Sequence, residues 1–174
     1  MLRLPLVRQA TNYTCGVAAL QSVLSYYGED VREDVLSKAL RANRSQGTAR
    51  IQIEKYAGKH GYEFESHENM DVQALKKLLD ERKPVICLIQ AWPDKPVDYV
   101  NDWSDGHYVV AAGYDERNFY FMDPSVGGHY SYISASDFPT RWHDTDGKSK
   151  LHHFGMAVYK PNTVPDTDSV QATQ

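Results

Sequence analysis

Residues 9–28 read Gln9-Ala10-Thr11-Asn12-Tyr13-Thr14-Cys15-Gly16-Val17-Ala18-Ala19-Leu20-Gln21-Ser22-Val23-Leu24-Ser25-Tyr26-Tyr27-Gly28. A polar loop gives way at Cys15 to apolar residues three and four apart, Val17, Leu20, Val23, Leu24 and Tyr27, and Gly28 provides a stop. The spacing predicts a helix that begins at the cysteine. A thiol in that place feels the positive end of the helix macrodipole and the unpaired N–H groups of the first turn, which favour the thiolate. Gly16 leaves room for a substrate carbonyl to approach the backbone. The competing reading of Cys15 is a buried structural thiol, since free cysteine is among the most buried residue types.

Working outward, residues 1–8 alternate apolar with basic or Pro and predict an edge strand or extended arm. Further helices are expected over Arg32–Ala42, with Val35, Leu36, Ala39 and Leu40 inward, and over Ala49–His60, capped by Gly47-Thr48 and ended by Gly61. A fourth helix follows Asp71, its N-cap, and carries Val72, Leu75, Leu78 and Leu79. After Lys83-Pro84 the pattern turns to strand. Val85–Ile89 is a continuous apolar run, as expected for a strand buried on both faces. His107–Tyr114, Asn118–Met122, His129–Ile133 and Leu151–Tyr159 complete an antiparallel meander. Helices first and strands afterwards argue α+β rather than alternating βαβ units. Residues 1–160 read as one domain, and Pro161–Gln174 as a disordered tail poor in large apolar side chains.

Two further positions stand out. His107, in Asp105-Gly106-His107-Tyr108-Val109-Val110, opens a strand otherwise filled with apolar residues, where it suits a base reaching across a cleft. Asp123 ends the next strand in Met122-Asp123-Pro124. If the two strands pair, Asp123 approaches His107, where a carboxylate would fix the tautomer and stabilise an imidazolium. The plainer readings are a strand-end histidine satisfied by backbone and an aspartate that caps the turn before Pro124. Gln9, shortly before the cysteine, has an amide that could donate to an oxyanion, or is a surface residue.

Together these residues resemble the papain-like C39 peptidase family. The resemblance lies in Gln9, then Cys15-Gly16-Val17-Ala18-Ala19-Leu20, Tyr26-Tyr27-Gly28, Gly106-His107-Tyr108-Val109-Val110, Gly113-Tyr114-Asp115 and Asp123-Pro124, in order over residues 4–160. It implies a papain-like fold with N-terminal helices packed on a C-terminal antiparallel sheet. It also implies a cysteine peptidase acting on a peptide or protein through a thioester acyl-enzyme. In that scheme Cys15 is the nucleophile, His107 the base and then acid, Asp123 the orienting group and Gln9 the oxyanion donor. Gly16, Gly106 and Trp103 are the expected substrate contacts, with Trp92 and Trp103 of loop 91–105 walling the cleft. Many relatives are domains of peptide exporters that cut leader peptides after a double glycine. This sequence has no GxxxxGK[ST] loop, and Thr14 stands where Asp is common, so leader cleavage is an analogy. A non-enzymatic peptide-binding module and a Cys-dependent acyl transferase are the alternatives.

Other classes fit less well. With 41% apolar and 24% charged residues and a net charge of −4, the chain has no electrostatic footprint for nucleic acid. Arg3 and Arg8 interrupt any signal-peptide core, and the longest uncharged run, Pro84–Trp92, falls far below the ~20 residues of a membrane span. A cytoplasmic protein is expected. The two cysteines form no CxxC spacing, and Cys87, inside the apolar strand, reads as core. Neither cofactor nor metal is expected: His152 and His153, adjacent in a strand, would face opposite ways, and His143 with Asp144 and Asp146 reads as a solvated turn.

Overall fold

The computed structural model describes residues 1–92, 98–147, 149–163 and 165. Chain order is α1 (Cys15–Tyr26), α2 (Glu33–Ala39), α3 (Arg50–Lys59), β1 (Glu63–His67), α4 (Val72–Asp80), β2 (Val85–Gln90), β3 (Gly106–Tyr114), β4 (Asn118–Met122) and β5 (Ser131–Ser134). A short α5 (Phe138–Arg141), β6 (His143–Asp146), β7 (Ser149–His152) and β8 (Gly155–Tyr159) follow. One antiparallel sheet runs β1-β8-β2-β3-β4-β5, and β6-β7 form a separate ribbon. The expected α+β architecture is observed and β2 to β5 form the expected antiparallel meander, but β8 does not extend it: it returns to pair with β2 and β1.

The sheet centre follows from its composition. β2 is buried at every position, with β8 on one side and β3 on the other, so Val85-Ile86-Cys87-Leu88-Ile89 has no polar face to alternate. α1 packs on β3 and is buried everywhere except Cys15, Gln21 and Ser25, which is why it is rich in Ala, Val and Leu nearly all round. α4 is the opposite case: Leu75, Leu78 and Leu79 form one stripe, and Asp71 caps it by accepting from Ala74 N at 2.7 Å. Residues 1–8 are an arm. Leu2 and Leu4 are buried, and Leu2 N donates to Ala112 O at 2.6 Å.

Several expectations are corrected. β1 was not foreseen, because Glu63-Phe64-Glu65-Ser66-His67 is a polar edge strand that pairs only with β8. The run Leu151–Tyr159 is two strands. His153 has φ +49° between β7 and β8, and the carbonyls of His152 and His153 are taken by Asn69 N and Met70 N at 2.9 and 3.0 Å. His152 and His153 therefore do not alternate in one strand; His153 stacks on Trp142 instead. The supposed solvated turn at His143–Asp146 is β6, paired residue for residue with β7. In α2 only Leu36 is buried, followed by Leu40 at its end, while Val35 is 54% exposed. Gly47-Thr48 does not cap α3, whose N-cap is Ala49. The tail assigned to Pro161–Gln174 lies outside the described residues at 164 and 166–174. No helix among the described residues is long and apolar enough to cross a membrane.

Candidate active site

The loop before α1 is tied at both ends. Thr14 Oγ1 accepts from Thr11 N at 3.2 Å and lies 3.1 Å from Thr11 Oγ1, closing a tight turn. Gln9 N donates to Pro124 O at 3.0 Å, which fastens this loop to the turn that carries Asp123. Cys15 emerges as the first residue of α1, half-buried, with a backbone N–H that has no acceptor inside the helix.

The β3–β4 pairing explains how His107 meets Asp123. Val110 faces Met122, so continuing the register one residue sets Asp123 beside Val109, on the same face as His107 two residues away. His107 is fully buried, and its Nε2 donates to Asp123 Oδ1 at 2.7 Å. That oxygen also accepts from Ser125 N at 2.8 Å and Ser125 Oγ at 2.7 Å, and Val126 N bonds Asp123 O at 3.0 Å. Asp123 is thus both turn cap and histidine partner; the two readings of it are not exclusive. Burial alone would push the His107 imidazole down. The bond to Asp123, the interaction with Cys15 and the charges of both outweigh it and lift the group to about 9. Burial likewise works to raise the Asp123 carboxyl, but His107 and Ser125 hold it below its ordinary value. The other ring nitrogen, Nδ1, is buried and has no hydrogen-bond partner among the described residues.

Cys15 and His107 line one cavity of about 580 Å³. One wall is the loop Arg44–Thr48, held by Tyr108 Oη donating to Thr48 O at 2.9 Å. The other is Trp103, Ser104, Gly106 and β6 with Gly147. Trp92 lies on the His107 ring, 4.7 Å between centroids, and Trp103 lies against His143 at 4.5 Å. Loop 91–105 is described except at 93–97. Gly106 and Trp103 line the cavity, whereas Gly16 does not. Gly16 is glycine for packing: a Cβ there would lie 2.8 Å from Thr48 Cβ and 3.0 Å from Tyr108 Cδ2. Gln9 also lies off the cavity lining, and one of its amide hydrogens goes to Thr11 O at 2.7 Å.

The family model described as Peptidase_C39 like matches residues 1–150. The chain belongs to the Peptidase_C39 like family. No curated protein matches it. Its fold is similar to the peptidase domain of Streptococcus ComA, a bifunctional ABC transporter of a quorum-sensing pathway, at 23% identity and TM-score 0.69, covering 91% of this chain and 99% of that one. A proposed C39-like peptidase from Bacillus anthracis matches at 18% identity and TM-score 0.70, covering 92% and 96%. A double-glycine motif protease from an AMS/PCAT transporter, in complex with its leader peptide, matches at 20% identity and TM-score 0.60, covering 90% and 91%. These likenesses fix the C39 peptidase-domain fold.

Sequence reasoning missed three residues of this C39-like site. Ser125 bonds Asp123, and only its position two residues after an Asp-Pro hinted at a turn. Gln90 closes β2, and its Nε2 reaches His143 O at 3.1 Å and Asp144 Oδ1 at 3.3 Å. Asp144 is buried in the cavity wall, and burial pushes its carboxyl up to about 6. His143-Asp144-Thr145-Asp146 is polar throughout, so no apolar alternation marks a strand there.

Proposed function

We propose that this chain is a cysteine peptidase, with Cys15 as nucleophile, His107 as its proton partner, Asp123 as the orienting carboxylate and Gln9 as an oxyanion donor. The observation that carries this reading is the His107 ring. It is fully buried and bonded through Nε2 to Asp123, and Cys15, which lines the same cavity, is the other group that raises it. In acylation the Cys15 thiolate attacks the peptide carbonyl carbon. The oxyanion is received by the Cys15 N–H, with Gln9 as the second donor once its amide leaves Thr11 O and turns into the cavity that it now lies outside. The carbonyl re-forms, the C–N bond breaks, and protonated His107 gives its Nδ1 proton to the leaving amine. Neutral His107 then takes a proton from water, the hydroxide attacks the thioester, and the carboxylic acid leaves while Cys15 returns as thiolate. An amine in place of that water would make the same acyl-enzyme a transferase intermediate. The likeness to a double-glycine protease supports a leader-type segment of a longer peptide as substrate.

The test is trapping. Incubation with E-64 and with iodoacetamide, mapped by mass spectrometry, is expected to give fast adducts at Cys15 that His107→Ala abolishes. A Cys15 that reacts no faster than a model thiol, with no change in His107→Ala, sinks the peptidase reading in favour of a binding module.

A further inference from the structure

Asp144 is a carboxylate in the cavity that this chemistry leaves unused. It is 8% exposed, at the second position of β6, and it lines the same cavity as Cys15 and His107. Its place is fixed. Gln90 Nε2 holds Oδ1 at 3.3 Å, and Gln90 is itself locked by His143 O and by Asp105 N, which donates to Gln90 Oε1 at 3.0 Å. The carboxylate lies against the Cα of Gly106, the residue before His107; a Cβ there would sit 2.1 Å from Oδ2. No side chain larger than glycine fits beneath it, so the carboxylate is a built part of the wall next to the reacting pair.

The cations around it are engaged elsewhere. Arg50 bonds Asp146 Oδ2 and Glu68 Oε1, both at 3.0 Å. Arg141 donates to Gln90 O at 3.0 Å and covers the Tyr99 ring. Lys150 sits 4.5 Å over the Trp103 ring, and Arg44, which lines the same cavity, is exposed and makes no ion pair with Asp144. His107 is held by Asp123. Among the described residues no Lys or Arg pairs with Asp144. Burying an acid is costly: burial, with the Asp146 charge beside it, pushes this carboxyl up to about 6, and the Thr145 N–H, the Gln90 amide and the His107 charge offset only part of that. A cation brought in from the cavity would offset that cost.

We propose that Asp144 forms a subsite for a cationic group of the bound peptide, a Lys or Arg side chain or a terminal ammonium, beside the scissile bond. This rests on the reading of the cavity as a peptide cleft. It is tested by binding, so that its failure is separable from failure of the peptidase chemistry. The protein is Cys15→Ala, which removes turnover, and the probes are fluorescent, end-blocked Gly/Ala hexapeptides with a single Lys moved through the six positions, each against its Gln counterpart. A third arm uses the Gly/Ala peptide with a free N-terminus. At pH 7.5 Lys at one position is expected to bind roughly 10- to 100-fold more tightly than Gln, as a charge-assisted bond to a desolvated carboxylate should. That ratio is expected to collapse to near one when Asp144→Asn is added. A preference confined to the free N-terminus assigns the subsite to a terminal ammonium. Equal binding of Lys and Gln at every position, with no gain from a free N-terminus, overturns the proposal, and so does a preference that survives Asp144→Asn. Should Asp144→Asn fail to fold, the same scan between pH 5 and 7.5 decides: the cation preference grows as Asp144 ionises, and a flat ratio overturns it.

Discussion

Strands β3 and β6 both carry a buried histidine at their opening, both with a tryptophan on the ring, and they differ in what the ring bonds. His107 Nε2 meets the Asp123 carboxylate at 2.7 Å; His143 Nε2 meets the backbone carbonyl of Asp102 at the same distance. Trp92 covers the first ring and Trp103 the second, at nearly equal centroid separations. Burial and aromatic cover therefore do not make a histidine chemically active. A carbonyl fixes a ring; a carboxylate fixes it and also stabilises the positive form, and together with Cys15 it lifts His107 to about 9 in spite of burial.

The largest effect expected from this contrast is on turnover. His107→Ala removes the proton donor for the leaving amine and the base for water, and is expected to lower kcat/KM by roughly 10³ or more, at the upper part of what general acid–base catalysis supplies. The measurement needs a cleaved peptide from substrate profiling of the wild type. A His107→Ala protein that keeps wild-type kcat/KM breaks the assignment.

Next in size is Asp123. The amide in Asp123→Asn keeps an acceptor for Nε2 but loses the charge, whereas Asp123→Ala loses both. Losses of roughly 10-fold and 10²-fold are expected, and equal losses would mean that charge rather than orientation is what Asp123 supplies. The pH profile separates the two functions. Acylation needs protonated His107, so kcat/KM is expected to fall as pH rises through about 9. Without the carboxylate this alkaline limb should move to lower pH, and an unmoved limb in Asp123→Ala would show that the carboxylate does not sustain the imidazolium. The stability linkage has the same sign. A raised histidine stabilises the fold fully below its ordinary value of roughly 6.5, and that contribution is lost as pH rises through the folded value.

This contrast was only half legible in the sequence. His107 and Asp123 could be brought together because both sit at the ends of apolar runs whose hairpin pairing follows from the turn Asp115-Glu116-Arg117 and the short return strand. α1 was legible for the same reason, since apolar spacing and a glycine stop are local signals. His143 and Asp144 were not. β6 is short and polar on its face, and it is held by neighbours far off in the chain: Gln90 from β2 and Asp102 from loop 91–105. A strand whose burial is owed to distant partners leaves little trace in its own composition. Gly16 shows the converse failure. Its conservatism of size was legible, but the reason assigned to it was not, because Thr48 and Tyr108 crowd it from elements remote in sequence.

The smallest effect sharpens the comparison from the other side. If His143 is a structural ring, His143→Ala should cost stability and leave the nucleophile alone. The substitution leaves the half-buried Asp102 carbonyl without its donor, and the loss of such a hydrogen bond costs about 0.5–1.5 kcal/mol. It also removes the ring that Trp103 and His152 pack against, at 4.5 and 6.1 Å between centroids. Urea unfolding should therefore show a lower midpoint with an unchanged slope. In the same preparation, iodoacetamide should label Cys15 at close to the wild-type rate, because among the described residues no hydrogen bond links His143 to the His107–Asp123 pair. The discriminating quantity is the pairing of the two readouts. His107→Ala is expected to move the labelling rate, and His143→Ala the unfolding midpoint. A His143→Ala protein that folds normally but loses fast labelling would mean that β6 acts on the thiol through the cavity wall, and the distinction between an active and a structural histidine would then have to be withdrawn.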